Sequence, residues 1–322
     1  MKNARGVVIL YEDLCDAWID WARQARLTTL GVHKITHPDT ETSLNSLLSD
    51  LEKPNGRRHI EMLEDAGITV EYELHTLSWL LPRDLFAHNP SLFRMNENGE
   101  RTNDLGFCPS NEEASDIITE NSYRLAKMLH QNSSRYFLWS DDVPKSVCHC
   151  PKCTERKVNG SDAAMIFTNA VAKGLTAYDS AATESYLAYS DANDIPTIAP
   201  DHNVFLEFAP MTREHKKPIS DPTEERSVAY LQLLEGLLKI FSAKDTHILE
   251  YWLDNALYSH FKRPPVKVPF LPDVAEQDIA TYTSYGIPNV KTFASFIGDE
   301  YISLHGTPPI KEYGDILAKY IR

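Results

Sequence analysis

Short apolar, β-branched runs alternate with longer stretches of helical periodicity along this chain, and the alternation repeats eight times. Runs at 5–11 (RGVVILY), 27–33, 68–75, 135–140, 184–190, 203–209, 247–252 and 289–296 read as strands. Between and after them, helices are expected over 12–26, 43–51, 57–66, 112–130, 161–176, 224–243, 275–285 and 310–321. In the first, Cys15, Trp18, Ile19 and Ala22 share one face; Gly67 stops the third; Ser110 is expected to cap the helix at 112–130, with Glu113 in the capping-box position. Eight β–α units in 322 residues, with no composition break or flexible linker, predict a single closed parallel barrel, the (β/α)8 or TIM fold, over 1–322. A long loop at 83–109 and a Cys-rich loop at 144–160 then belong to the C-terminal face. A doubly wound open sheet is the main rival, and the first strand lacks the Gly-rich turn of its nucleotide-binding version.

Charge narrows the partners. Asp and Glu outnumber Lys and Arg 46 to 32, for a formal net charge of −14. That excess repels nucleic acid and anionic membrane. No apolar run of about 18 residues exists, so no membrane-spanning helix is expected. The apolar stretch Gly6–Leu10 is too short for a signal-peptide core, which places the protein in the cytoplasm, or outside it with a leader removed before this numbering begins. Oligomeric state is not legible.

Barrel enzymes carry their reacting groups at the C-terminal ends of strands. The first two strands end in Tyr11-Glu12-Asp13 and in His33. Within the third, VEYELH, the apolar set Val70, Tyr72 and Leu74 should meet the helices, leaving Glu73 and His75 to face the interior near its mouth. Glu207 lies in the sixth strand; Glu250, Trp252 and Asp254 share one parity in and after the seventh. Inward charges are costly unless paired or used. Trp79, Trp139, Tyr251 and Trp252 offer either an aromatic floor for a sugar ring or ordinary core. Arg94 and Arg213 read as surface residues or as binders of a carboxylate or hydroxyls.

The fourth strand ends in Asp141-Asp142. Two carboxylates held together cannot both ionise freely, so one becomes a proton donor near neutral pH, as glycoside hydrolysis requires. A solvated turn or a helix cap is the competing reading. Just beyond, Cys148, Cys150 and Cys153 have the spacing of a metal knuckle, with Cys108 or His149 as a fourth ligand. Four thiolates favour a closed structural zinc site, and no metal is expected in catalysis. A disulfide with one cysteine left over, or free buried thiols, are the alternatives.

His75–Trp79 (HTLSW), 88–99 (HNPSLFRMNENG), 107–111 (FCPSN), the WSDDV segment from Trp139, the CHCPKC cluster and FTNAVA at 167–172 resemble, in this order, bacterial proteins of domain-of-unknown-function family 4838. The resemblance covers roughly residues 5–300 and implies a glycoside-hydrolase barrel related to endo-acting N-acetylglucosaminidases. FLWSDDV is also similar to the strand-four Asp-Asp motif of family 84 N-acetylglucosaminidases. That similarity implies that Asp141 orients the substrate acetamido group and that Asp142 is the general acid/base. The acetamido oxygen then attacks the anomeric carbon, and no enzyme nucleophile is needed. On this reading His75, Glu73, Glu207, His33, Trp139, Tyr251 and Asp254 line a carbohydrate pocket, and Trp252 stacks on the sugar. The alternatives are an ordinary acid and nucleophile pair drawing on Glu207 or Glu250, a binding barrel without turnover, and a metal-dependent isomerase or hydrolase on the same fold.

Overall fold

The computed structural model describes residues 3–36, 39–142 and 147–322; His37, Pro38 and the start of the Cys-rich loop at 144–146 lie outside them. Eight strands follow one another in sequence order around a closed barrel: β1 (Arg5–Leu10), β2 (Thr29–His33), β3 (Thr69–His75), β4 (Arg135–Trp139), β5 (Thr183–Ala188), β6 (Val204–Phe208), β7 (His247–Glu250) and β8 (Asn289–Phe293). Neighbouring strands pair in parallel, as in β1 with β2 and β8, β3 with β4, β4 with β5, and β7 with β6 and β8. Such strands are covered on both faces, which is why β4 (RYFLW) and β7 (HILE) are buried at every position.

The chain divides into two compact units, one of residues 1–34, 50–71 and 207–322, the other of 35–49 and 72–206. In the first, β1 pairs with β2 and β8, setting Gly6 opposite Thr29 and Lys291, and Leu10 opposite His33. Gly6 has a steric reason: a Cβ there would lie 2.8 Å from Thr29 O and 3.1 Å from Lys291 Cγ. The missing side chain thus makes room for the lysine stem. Gly67 ends the helix Arg58–Asp65 at φ +81°, a backbone region closed to most side chains, and β3 starts two residues later.

In the second unit the register of β3 and β4 puts Glu73 opposite Phe137 and His75 opposite Trp139. The helices Glu112–Leu129 and Gly160–Tyr178 pack there, with Thr119 Oγ1 donating to Ala170 O at 2.9 Å. Asn111, not Ser110, caps the first of these helices, accepting from Ala114 N at 3.2 Å. Ser110 turns instead to the cysteines: its Oγ lies 3.1 Å from Cys153 Sγ and accepts from Arg156 Nη1 at 3.0 Å. Most elements sit where periodicity puts them, though the helix expected at 12–26 shortens to Ala17–Gln24 after a 3-10 turn at Tyr11–Asp13.

Candidate active site

Asp141 follows the end of β4 and is buried. Its Oδ2 accepts two hydrogen bonds from Ser78, one from the backbone N–H at 3.0 Å and one from the hydroxyl. Ser78 is in place because the helix Leu77–Leu80 starts two residues after β3, lifting its amide and hydroxyl toward the end of the neighbouring strand. Asp141 Oδ1 is also buried. Burial pushes this carboxyl above the ordinary range, while the Ser78 bonds and the charges of His75 and Arg83 pull it down. Asp142 is exposed, and Tyr189 donates its hydroxyl to Oδ2 at 3.3 Å. Adjacent in sequence, the two carboxylates occupy opposite environments, one anchored and dry, the other open to solvent.

His75 and Trp139 complete this neighbourhood. His75 Nδ1 lies 2.6 Å from Ser140 O, and its ring meets Trp139 edge to face at 5.3 Å. The indole of Trp139 donates to Ser185 Oγ at 3.1 Å, so this tryptophan is buried beside His75. Glu73 is completely buried deeper on the same face of β3, backing the site rather than lining an open pocket. Around Asp141, a small pocket is walled by Leu77, Gly106, Phe107, Leu187 and Tyr189. The loop that brings Gly106 and Phe107 there is tied to itself: Arg83 donates to Leu81 O, Asp104 O and Gly106 O, and Arg94 clamps Asp104.

The unit holding β1, β2 and β6 to β8 presents a second group of strand-end side chains. Tyr251 stacks on Phe293 with centroids 5.6 Å apart and an angle of 27°, and His33 meets the same ring edge-on at 5.4 Å. His33 and Phe293 are half-buried. Beneath them Glu207 is fully buried and ion-paired to Lys291 at 3.2 Å. It therefore does not reach an open pocket. Asp254 is buried too; its Oδ1 has no partner among the described residues, and burial pushes its pKa up to about 6.

Trp252, expected to stack on a sugar, is buried against the helices instead. Its indole donates to Asp278 Oδ2 at 2.9 Å and its ring lies 6.0 Å from Tyr313, which places it among the helices Pro272–Ser284 and Ile310–Tyr320. Both faces of a parallel strand are buried, so alternation grouped Trp252 with Glu250 correctly but could not tell inside from outside. Glu250 faces the same way. Arg213 grips it through Nε at 3.2 Å and Nη2 at 3.1 Å, also donates to Asp278, and is buried rather than superficial. That ion pair engages both carboxylate oxygens of Glu250. Ser78, Tyr189, Lys291 and Phe293 were not singled out from sequence. Of these, Lys291 carried a signal, a lone cation in the middle of the apolar run NVKTF.

The thiols of Cys108, Cys148, Cys150 and Cys153 come together, all four sulfurs lying within 4.8 Å of one another. His149 is exposed and outside the cluster; its backbone N–H donates to Met95 O at 2.8 Å. No described helix is long and apolar enough to cross a membrane.

A family model described as domain of unknown function (DUF4838) matches residues 37–299. No curated protein sequence matches significantly. Among solved structures, the fold is similar to a β-N-acetylhexosaminidase from Bacteroides fragilis, with 13% identity and a TM-score of 0.56 over 97% of this chain and 65% of that one. It is also similar to a family 5 xyloglucanase from Paenibacillus pabuli, at 8% identity and TM-score 0.55, covering 100% of this chain and 99% of that one. A third is a xyloglucan-specific endo-β-1,4-glucanase from a metagenomic library, in complex with cellotriose, at 9% identity and TM-score 0.53, covering 95% and 88%. At these identities the likeness is one of fold, a barrel of the kind glycoside hydrolases use.

Proposed function

The chain belongs to the family described as domain of unknown function 4838, and from that premise we propose that it is a glycoside hydrolase acting on a glycan that contains N-acetylhexosamine. The observation that carries this reading is the pair at the end of β4: Asp141 buried and held by Ser78, Asp142 exposed beside Tyr189. Hydrolysis of a 2-acetamido glycoside needs two carboxylates with different duties, and contrasting environments are how neighbouring carboxyls acquire them.

On the likeness of FLWSDDV to the family 84 motif, Asp142 is assigned the proton transfers. It protonates the glycosidic oxygen as the C1–O bond breaks, while the substrate's own acetamido oxygen bonds to C1 from the opposite face. Asp141, fixed through Oδ2, accepts from the acetamido N–H and turns the acetamido oxygen toward C1. In the second step Asp142, now a carboxylate, takes a proton from water as that water attacks C1 and reopens the ring formed by the acetamido group. The configuration at C1 is retained, and no side chain becomes bonded to the sugar.

The test is a screen of aryl N-acetylhexosaminides and intact N-acetylglucosamine-containing glycans with the wild type and Asp142→Asn. Turnover by the wild type, lost in the variant on native glycans, is the expected result. Equal rates would remove Asp142 from the reaction. Binding without turnover on every glycan would make this a carbohydrate-binding barrel.

A further inference from the structure

We propose that Cys108, Cys148, Cys150 and Cys153 hold one Zn²⁺ in a closed tetrathiolate site, which fastens the loop 83–109 to the segment 148–153. The inference does not depend on the glycosidase reading. Its first support is geometric. Cys108 Sγ lies 3.6 Å from Cys150 Sγ and 3.9 Å from Cys153 Sγ, and all four sulfurs fall within 4.8 Å of one another. Four sulfurs about 2.3 Å from a tetrahedral zinc are about 3.8 Å apart along each edge. A disulfide needs about 2.05 Å. The observed separations are those of ligands around an ion.

The surroundings suit that ion. All four cysteines are buried, and Met95, Val158, Ala163 and Ile166 pack around them as an apolar shell. The backbone N–H of Met95 donates to Cys148 Sγ at 3.3 Å, Arg101 Nη1 lies 3.8 Å from the same sulfur, and Ser110 Oγ lies 3.1 Å from Cys153 Sγ. Four thiolates and one Zn²⁺ sum to a charge of about −2, and donors and a guanidinium offset such a charge. With four protein ligands no coordination position is left for water or substrate, so the ion is structural.

The site also connects elements the candidate active site uses. Cys108 follows Gly106 and Phe107, which wall the pocket beside Asp141. Cys148 and Cys150 precede the short helix Pro151–Glu155, which carries Cys153. One ion would thus bind the loop carrying Gly106 and Phe107 to the segment 148–153.

The full chain, purified without chelator, should contain one zinc per molecule by plasma mass spectrometry. Exchanged for Co²⁺, it should show the sulfur-to-metal charge-transfer band and the intense red d–d absorption of a tetrahedral tetrathiolate. Cys15→Ser, which alters the one cysteine outside the cluster, should keep the zinc, and Cys150→Ser should lose most of it. Should Cys150→Ser fail to fold, the wild-type cobalt spectrum decides. Iron in place of zinc, four metal-free thiols, an octahedral cobalt spectrum, or an intact mass showing a disulfide among the four would each overturn the proposal.

Discussion

Lys291 Nζ stands 3.2 Å from Glu207 Oε1, with neither side chain exposed to solvent. The pair joins β8 to β6 inside one unit, and the space for the lysine stem comes from the missing side chain of Gly6. A buried charge pair contributes little net stability, but removing one partner is expensive because the other remains in a poorly solvated place. Lys291→Met, which deprives Glu207 of this cation, should cost about 3–5 kcal/mol in urea unfolding, and Glu207→Leu combined with Lys291→Met should recover most of that loss. A loss in the double variant equal to the sum of the losses in Lys291→Met and Glu207→Leu would show that the coupling between the two charges is negligible.

Asp254 gives a pH signature. Burial raises its pKa to about 6 in the folded protein, against about 3.9 in the unfolded chain. The folded state binds this proton more tightly, so the contribution is fully present below the unfolded value and is lost as pH rises through about 6. Asp254→Asn abolishes the titration. Relative to the wild type, its stability should rise between pH 4 and 7, by up to about 3 kcal/mol, since each pKa unit corresponds to about 1.4 kcal/mol. Parallel stability–pH curves for the two proteins would refute the assignment.

Trp252 should affect stability and not binding. Trp252→Phe removes the indole donor from buried Asp278, which should lower stability by about 1–3 kcal/mol and leave KM for a glycan substrate unchanged. A rise in KM for Trp252→Phe with normal stability would return that tryptophan to the sugar site.

The barrel was legible because its period is long and its punctuation clear: eight apolar runs, each followed by helical spacing or a turn. Parity within β3 was legible too, since Glu71, Glu73 and His75 alternate with plainly apolar residues. Around β7 it was not. The strand ends at Glu250, the chain turns with Asp254 N donating to Tyr251 O, and both faces are buried, so nothing local marks Trp252 as helix-facing. Ser110 had the form of a helix cap, yet its hydroxyl serves Cys153 and Arg156, partners more than 40 residues away in sequence. Ser78 carries no local signature at all, because its importance comes from a strand-end carboxylate 63 positions later.

The duties of the two aspartates can be told apart by leaving group and by pH. A general acid matters most when the departing oxygen is a poor leaving group. Asp142→Asn should therefore lose at least about 100-fold on a native glycan and far less on a dinitrophenyl glycoside. Asp141→Asn, which disturbs the acetamido group in both cases, should lose comparably on the two. Ser78→Ala probes the same assignment without touching either carboxylate. The Ser78 hydroxyl lowers the Asp141 pKa, so its removal should raise that pKa further. If Asp141 must be ionised to orient the acetamido N–H, the acidic limb of the kcat/KM profile moves to higher pH. A shift of the basic limb instead would make Asp141 the proton donor and exchange the roles assigned to the pair.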